Sequence, residues 1–108
     1  MPLYDATKFG VLSLTRSLAA TYGKDGIRVN AVCPSLTLTE FHFKKAMAEG
    51  ITPEKLRERH KGYGLLGRPG EPEEIAAVVY FMASKDASFV TGQYLIVDGG
   101  FSIGSKTL

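Results

Sequence analysis

Across residues 5–22 there is no proline, and Val11, Leu12, Leu18, Ala19 and Tyr22 fall at helical spacing, with Phe9 and Ala20 widening the apolar stripe. The spacing predicts a helix that stops at Gly23 and Gly26. Its apolar sector is broader than one packing face needs, and Leu14 lies off the main stripe. Such a helix is expected between two partners, either a sheet and another layer or a second subunit. After the turn Gly23-Lys24-Asp25-Gly26, the run Ile27-Arg28-Val29-Asn30-Ala31-Val32-Cys33 is short and β-branched and closes at Pro34, which predicts a strand.

The pattern then changes. From residue 36 to residue 70 polar positions dominate, among them Lys44, Lys45, Glu49, Arg57, Glu58, Arg59 and His60, and helix starts are signalled at Thr37-Leu38-Thr39-Glu40 and Thr52-Pro53-Glu54. This stretch is expected to be a mobile helical excursion outside the core. Pro72-Glu73-Glu74 opens a further helix with Ile75, Val78, Val79 and Met82 at i, i+3, i+4, i+7. The turn Val90-Thr91-Gly92-Gln93 leads into a second strand, Tyr94-Leu95-Ile96-Val97, which Asp98-Gly99-Gly100 ends. Strand, helix and strand in this order form one βαβ unit, so the fold class is α/β with a parallel sheet. Two strands do not make such a sheet alone.

Composition narrows the partners. The chain has 108 residues, 44% hydrophobic and 22% charged, with a formal net charge of +2 and basic and acidic residues interspersed. That balance predicts no nucleic-acid partner. No apolar run approaches the roughly 18 residues that span a bilayer, so no membrane partner is expected. One cysteine, Cys33, leaves no internal disulfide to form, and a reducing, cytoplasmic setting is the expectation.

Several residues could carry chemistry. Tyr4 and Lys8 stand four apart on one helix face, and an ammonium beside a phenol favours the phenolate, giving a usable general acid or base. The same pair also reads as an ordinary surface contact. Gly62-Tyr63-Gly64-Leu65-Leu66-Gly67 has the spacing of a dinucleotide-binding loop. That loop needs a strand before it and a helix after it, and Arg57-Glu58-Arg59-His60-Lys61 is no strand, so flexible hinge glycines are the reading. Pro34, Ser35, Leu36, Thr37 and Thr39 follow the carboxyl end of a strand, where open α/β sheets bind ligands; Thr37 could equally cap a helix with Glu40. His42 and His60 lack partners at ligand spacing and read as solvated, with no metal site, and Cys33 reads as a small buried hydrophobe.

Taken in order, Tyr4-Asp5-Ala6-Thr7-Lys8, Leu14-Thr15-Arg16-Ser17-Leu18-Ala19 and Ile27 through Pro34 resemble successive landmarks of one family. So do Leu66-Gly67-Arg68-Pro69-Gly70-Glu71-Pro72-Glu73-Glu74-Ile75-Ala76 and Val90-Thr91-Gly92-Gln93 with Val97-Asp98-Gly99-Gly100. The chain resembles the carboxyl-terminal portion of a short-chain dehydrogenase/reductase, of the kind similar to 3-oxoacyl-carrier-protein reductase or to sugar and cyclic-alcohol dehydrogenases. The resemblance implies a Rossmann-type doubly wound sheet and hydride transfer between NAD or NADP and an alcohol or carbonyl substrate. It implies Tyr4 as general acid/base and Lys8 as the residue that holds the nicotinamide ribose and favours the Tyr4 phenolate. Pro34, Ser35, Leu36, Thr37 and Thr39 would run along the nicotinamide end, the two threonines reaching carboxamide and phosphate. Family members commonly carry glycine where Ser35 stands and a branched aliphatic where Thr37 stands, so the detail of this loop departs from the pattern.

By the same resemblance, residues 1–108 form a partial Rossmann-type domain whose glycine-rich cofactor fingerprint and catalytic serine would lie upstream. Residues 36–70 would be a substrate lid that orders on binding, and the first helix would pack subunit against subunit in a homo-oligomer. Such a piece is expected to be inactive alone. The competing expectation is a non-enzymatic truncated paralogue that docks on full-length subunits through its exposed first helix.

Overall fold

The structure, a computed structural model, describes residues 1–104. It contains two compact units, residues 1–33 with 78–95, and residues 34–77 with 96–104 of the described stretch. The elements, in chain order, are α1 (Pro2–Tyr22), β1 (Ala31–Pro34), α2 (Glu40–Ala48), α3 (Pro53–Arg59), α4 (Pro72–Ala83) and β2 (Tyr94–Val97), with short 3-10 turns at Gly23–Asp25, Lys85–Ala87 and Phe101–Ile103. β1 and β2 are neighbours in a two-stranded sheet.

In the first unit, α1 starts one turn earlier than its apolar pattern predicts, because Pro2 suits the first helical turn and Asp5 favours its positive end. Its closest packing uses small residues. Thr15 and Ala19 are buried, the Thr15 hydroxyl donates to the Val11 carbonyl at 2.8 Å, and a Cβ placed on Gly92 would lie 3.5 Å from that of Ala19. Leu3, Phe9 and Leu14 stay exposed, and so do Val11 and Tyr22 of the main stripe, so only its Ala19 is fully buried while Leu12 and Leu18 are half-buried.

The first strand is shorter than its composition predicts. Residues 27–30 lie outside the sheet: Ile27 donates to the Tyr22 carbonyl, Val29 donates to the Thr91 hydroxyl and accepts from the Gly92 N–H, and the side chains of Arg28 and Asn30 reach loop groups. Arg28 donates from Nη1 to the Met82 carbonyl at 2.8 Å and from Nη2 to that of Ser84 at 3.0 Å. Asn30 donates to the Val90 carbonyl at 2.8 Å and accepts from the Gln93 N–H at 3.1 Å. Those bonds satisfy the Met82 carbonyl in the last turn of α4 and the Ser84 carbonyl just beyond it, and fix the turn before β2. Of the predicted α4 stripe, Met82 is buried, Ile75 and Val78 are half-buried and Val79 is exposed.

The second unit corrects the reading of residues 36–70 as an excursion outside the core. Leu38 (1% exposed), Ala46 (4%) and Leu56 (7%) form a buried cluster, with Leu36, Phe43 and Ile51 packed against it. Two helices each present one or two apolar residues inward, so an average over the segment reads as polar while a small core forms across them. The ends of the segment are tied together. Gly70 donates to the Leu36 carbonyl at 2.9 Å and Leu38 donates to the Gly70 carbonyl at 3.0 Å, a parallel bridge between Thr37 and Gly70. No helix among the described residues is long and apolar enough to cross a membrane.

Candidate active site

Tyr4 and Lys8 sit in the first two turns of α1, in the first unit. The 3.6-residue period puts both on one face, and the Lys8 Nζ lies 5.4 Å from the Tyr4 ring centroid. The Thr7 hydroxyl donates to the Tyr4 carbonyl at 2.7 Å, satisfying a backbone group inside the turn that carries the pair. Tyr4 is 53% exposed, so its hydroxyl is open to a partner from outside this unit's own side chains.

Pro34 ends β1, and Ser35, Leu36, Thr37 and Thr39 follow it through a bend at Leu36; all five belong to the second unit. Most of their backbone donors are engaged. Ser35 donates to the Val97 carbonyl at 3.4 Å, Leu36 to the Tyr63 hydroxyl at 3.3 Å, Leu38 to the Gly70 carbonyl and Thr39 to the His42 Nδ1 at 3.2 Å. Thr37 differs: among the described residues its N–H and C=O have no partner. The reason is the parallel bridge, in which the central residue turns both groups to the side away from Gly70. One donor and one acceptor side by side complement a carboxamide, which presents one of each. The residues present therefore fit the nicotinamide end of a dinucleotide.

The two threonines have different duties. The Thr37 hydroxyl donates to the Ser35 carbonyl at 3.0 Å, bracing the loop, and does not cap a helix. Thr39 is the N-cap of α2 in a reciprocal arrangement with His42, whose Nδ1 lies 2.8 Å from the Thr39 hydroxyl. His42 is thus half-buried and engaged rather than solvated, and the Thr-x-x-His spacing was the available signal for it. Thr52 caps α3 as its sequence predicts, accepting from the Lys55 N–H at 3.2 Å.

The glycine run at 62–67 is neither a phosphate loop nor a set of free hinges. It forms a tight turn in which Gly62 donates to the Gly67 carbonyl at 2.8 Å and Leu66 to that of Gly99 at 3.0 Å. At Gly64, with φ of +63°, a Cβ would lie 2.7 Å from the Gly99 carbonyl oxygen, so only glycine fits. Two ion pairs flank the segment. Arg57 pairs with Glu71 and lies 5.2 Å from the Phe43 ring centroid, and Arg68 grips Glu74 with bonds of 2.9 and 2.6 Å. The Arg68 hydrogen bonds, with the Glu71 N–H, lower the Glu74 carboxyl to about 2. A cavity of about 110 Å³ between Ser35, Arg68, Glu74 and Asp98 is well below the ~300 Å³ of a small-molecule site. Cys33 is half-buried, and no cluster of metal-ligating side chains occurs among the described residues.

The family described as "Enoyl-(Acyl carrier protein) reductase" matches residues 1–102. A meso-2,3-butanediol dehydrogenase from Serratia marcescens is 46% identical over 97 residues, covering 90% of this chain and 36% of its own. The chain belongs to the short-chain dehydrogenase/reductase family. A second relative of the family, a 7alpha-hydroxysteroid dehydrogenase from Bacteroides fragilis, is 41% identical, covering 98% of this chain and 39% of its own. The chain therefore spans less than half the length of the curated relatives it matches. Among solved structures of similar fold, a 4-hydroxyisoleucine dehydrogenase mutant complexed with NADH and succinate has a TM-score of 0.76 at 29% identity, over 95% of this chain and 40% of that one. ElxO with NADP bound has a TM-score of 0.77 at 30% identity, over 94% and 40%. These neighbours bear out the Rossmann-type α/β fold class for the short-chain dehydrogenase/reductase resemblance.

Proposed function

We propose that the protein carrying these residues is an NAD(P)-dependent oxidoreductase acting on an alcohol or carbonyl substrate. The observation that carries the reading is the Tyr4–Lys8 pair, a phenol exposed on one helix face with an ammonium 5.4 Å from its ring centroid. When bound, the nicotinamide supplies hydride exchange with the carbon that bears the substrate oxygen. Tyr4 takes the hydroxyl proton from an alcohol, or returns it to a carbonyl oxygen as that oxygen gains charge. Lys8 holds positive charge beside a phenol that becomes negative when its proton leaves, and its ammonium donors are suited to the ribose hydroxyls.

Thr37 holds the carboxamide through its open N–H and C=O, while Pro34, Ser35 and Leu36 shape the wall beside it. Thr39 reaches a phosphate only by exchanging the bond that caps α2. NADH and NADP in the neighbouring structures support either dinucleotide, and the dehydrogenase relatives support a small alcohol or carbonyl as substrate. Residues 36–70 serve as the substrate lid, α1's exposed Leu3, Phe9, Val11 and Leu14 serve as a face between like subunits, and the compartment is cytoplasmic.

The test is Tyr4→Phe in the whole gene product. Hydride transfer, followed by nicotinamide absorbance, is lost while dinucleotide binding by fluorescence titration is retained; Lys8→Ala weakens both. Turnover surviving in Tyr4→Phe refutes the assignment.

A further inference from the structure

The glycine run that mimics a phosphate loop has another use. Its one aromatic residue, Tyr63, is half-buried, and its hydroxyl oxygen accepts the Leu36 N–H at 3.3 Å, twenty-seven residues away. The ring is fixed on its face by Phe101, with centroids 4.7 Å apart and planes 6° from parallel. Phe101 is fixed in turn by a 3-10 turn that Asp98 organises, accepting from the Gly100 N–H at 2.8 Å and the Ser102 N–H at 2.7 Å. Hydrogen bonding from Ser102 and from the Gly100 N–H holds the Asp98 carboxyl below the usual carboxylate range. The adjacent Gly64 lets the backbone approach Gly99 closely enough to bring Tyr63 over Phe101. A continuous set of contacts therefore runs from the 98–103 turn, through two stacked rings, to the residue immediately before Thr37.

We propose that Tyr63 is a positioning residue for the nicotinamide loop: it fixes the Ser35–Leu36 peptide that enters the Gly70 bridge, so that the bridge, and with it the unpaired N–H and C=O of Thr37, stays in place for a carboxamide. This rests on the reading of residues 34–39 as the nicotinamide wall. Without the phenol oxygen the Leu36 N–H has no partner among the described residues, and the Ser35–Leu36 peptide is held only by the Thr37 hydroxyl on the Ser35 carbonyl; Gly70 still holds the Leu36 carbonyl and the Leu38 N–H, so the loosening begins at the entry to the bridge. Tyr63 touches neither nicotinamide nor substrate in this role, so its effect is confined to the half of the dinucleotide that Thr37 holds.

The experiment uses the whole gene product with Tyr63→Phe, which keeps the stacked ring and removes only the acceptor. Titration with NADH and NADPH gives a Kd raised about tenfold for the dinucleotide the wild type prefers, the equivalent of ~1.4 kcal/mol. ADP-ribose, which lacks the nicotinamide, binds within about twofold of wild type. Amide exchange at Leu36 is faster in the variant. Phe101→Leu, which keeps the hydroxyl but loosens the ring, repeats the pattern and decides the matter should Tyr63→Phe fail to fold. Unchanged dinucleotide affinity overturns the proposal, and so does an equal loss for ADP-ribose, which is the signature of a merely structural residue. A wild type that binds neither dinucleotide removes the functional reading instead. In that case an unaltered Leu36 exchange rate in Tyr63→Phe still overturns the positioning contact by itself.

Discussion

Leu38→Ala tests whether residues 36–70 hold together through their own core. The side chain is 1% exposed and sits in the cluster with Ala46 and Leu56. Shortening it to alanine removes three carbons, worth ~2.4 kcal/mol at ~0.8 kcal/mol per buried carbon. The void adds to that, because Ala46 is too small to fill it and α2 and α3 are tied at their caps. The expected loss is therefore about 3 kcal/mol, within the ~2.7–5.0 kcal/mol range for buried leucines. Hydrogen exchange measured by mass spectrometry on peptides covering 40–59 reads this as local opening. A loss of about 3 kcal/mol accelerates exchange there by roughly 100-fold. Phe41→Ala is the control, since Phe41 is on the same helix and 69% exposed, and it leaves the rate near wild type. Acceleration by less than about tenfold, or an equal effect from Phe41→Ala, refutes the buried cluster as the source of the segment's order.

Three further outcomes follow from the geometry. Gly64→Ala places a Cβ against the Gly99 carbonyl at a φ of +63° and costs on the order of 2–3 kcal/mol in denaturant unfolding; a loss under ~0.5 kcal/mol refutes the close approach. Glu74 is lowered from 4.5 to about 2 by the Arg68 bonds, so the stability it adds is full above about 4.5 and is lost as pH falls toward about 2. Melting temperature over that interval falls more steeply in wild type than in Glu74→Gln, and parallel curves sink the idea. Thr39→Val removes the α2 cap and costs about 1 kcal/mol by chemical denaturation, whereas Thr39→Asp keeps most of it; equal losses in both contradict the capping role.

The helices and the second strand were legible because their signals are local: Pro53 and Pro72 open helices, and Tyr94–Val97 is a β-rich run closed by glycines. The first strand was overestimated because Arg28 and Asn30 look compatible with a strand but are bonded to carbonyls more than fifty residues away. The core of the second unit escaped notice for a similar reason. Leu38, Ala46 and Leu56 each stand beside a polar or charged residue, and only tertiary packing makes them neighbours. Within the candidate site, the Tyr4–Lys8 pair is a matter of helical period and could be read directly. The open amide of Thr37 depends on Gly70, and the Leu36–Tyr63 bond on a turn that sequence spacing presented as something else.

The bridge between Thr37 and Gly70 has an evolutionary consequence. A segment that leaves and re-enters the fold at one point, with a small core of its own, can be lengthened, shortened or replaced while both attachment points stay put. In such a protein the segment between the two attachment points is free to diversify as one cassette. A chimera carrying residues 38–69 of a relative, joined at those two positions, should fold more readily than one joined midway through α2 or α3.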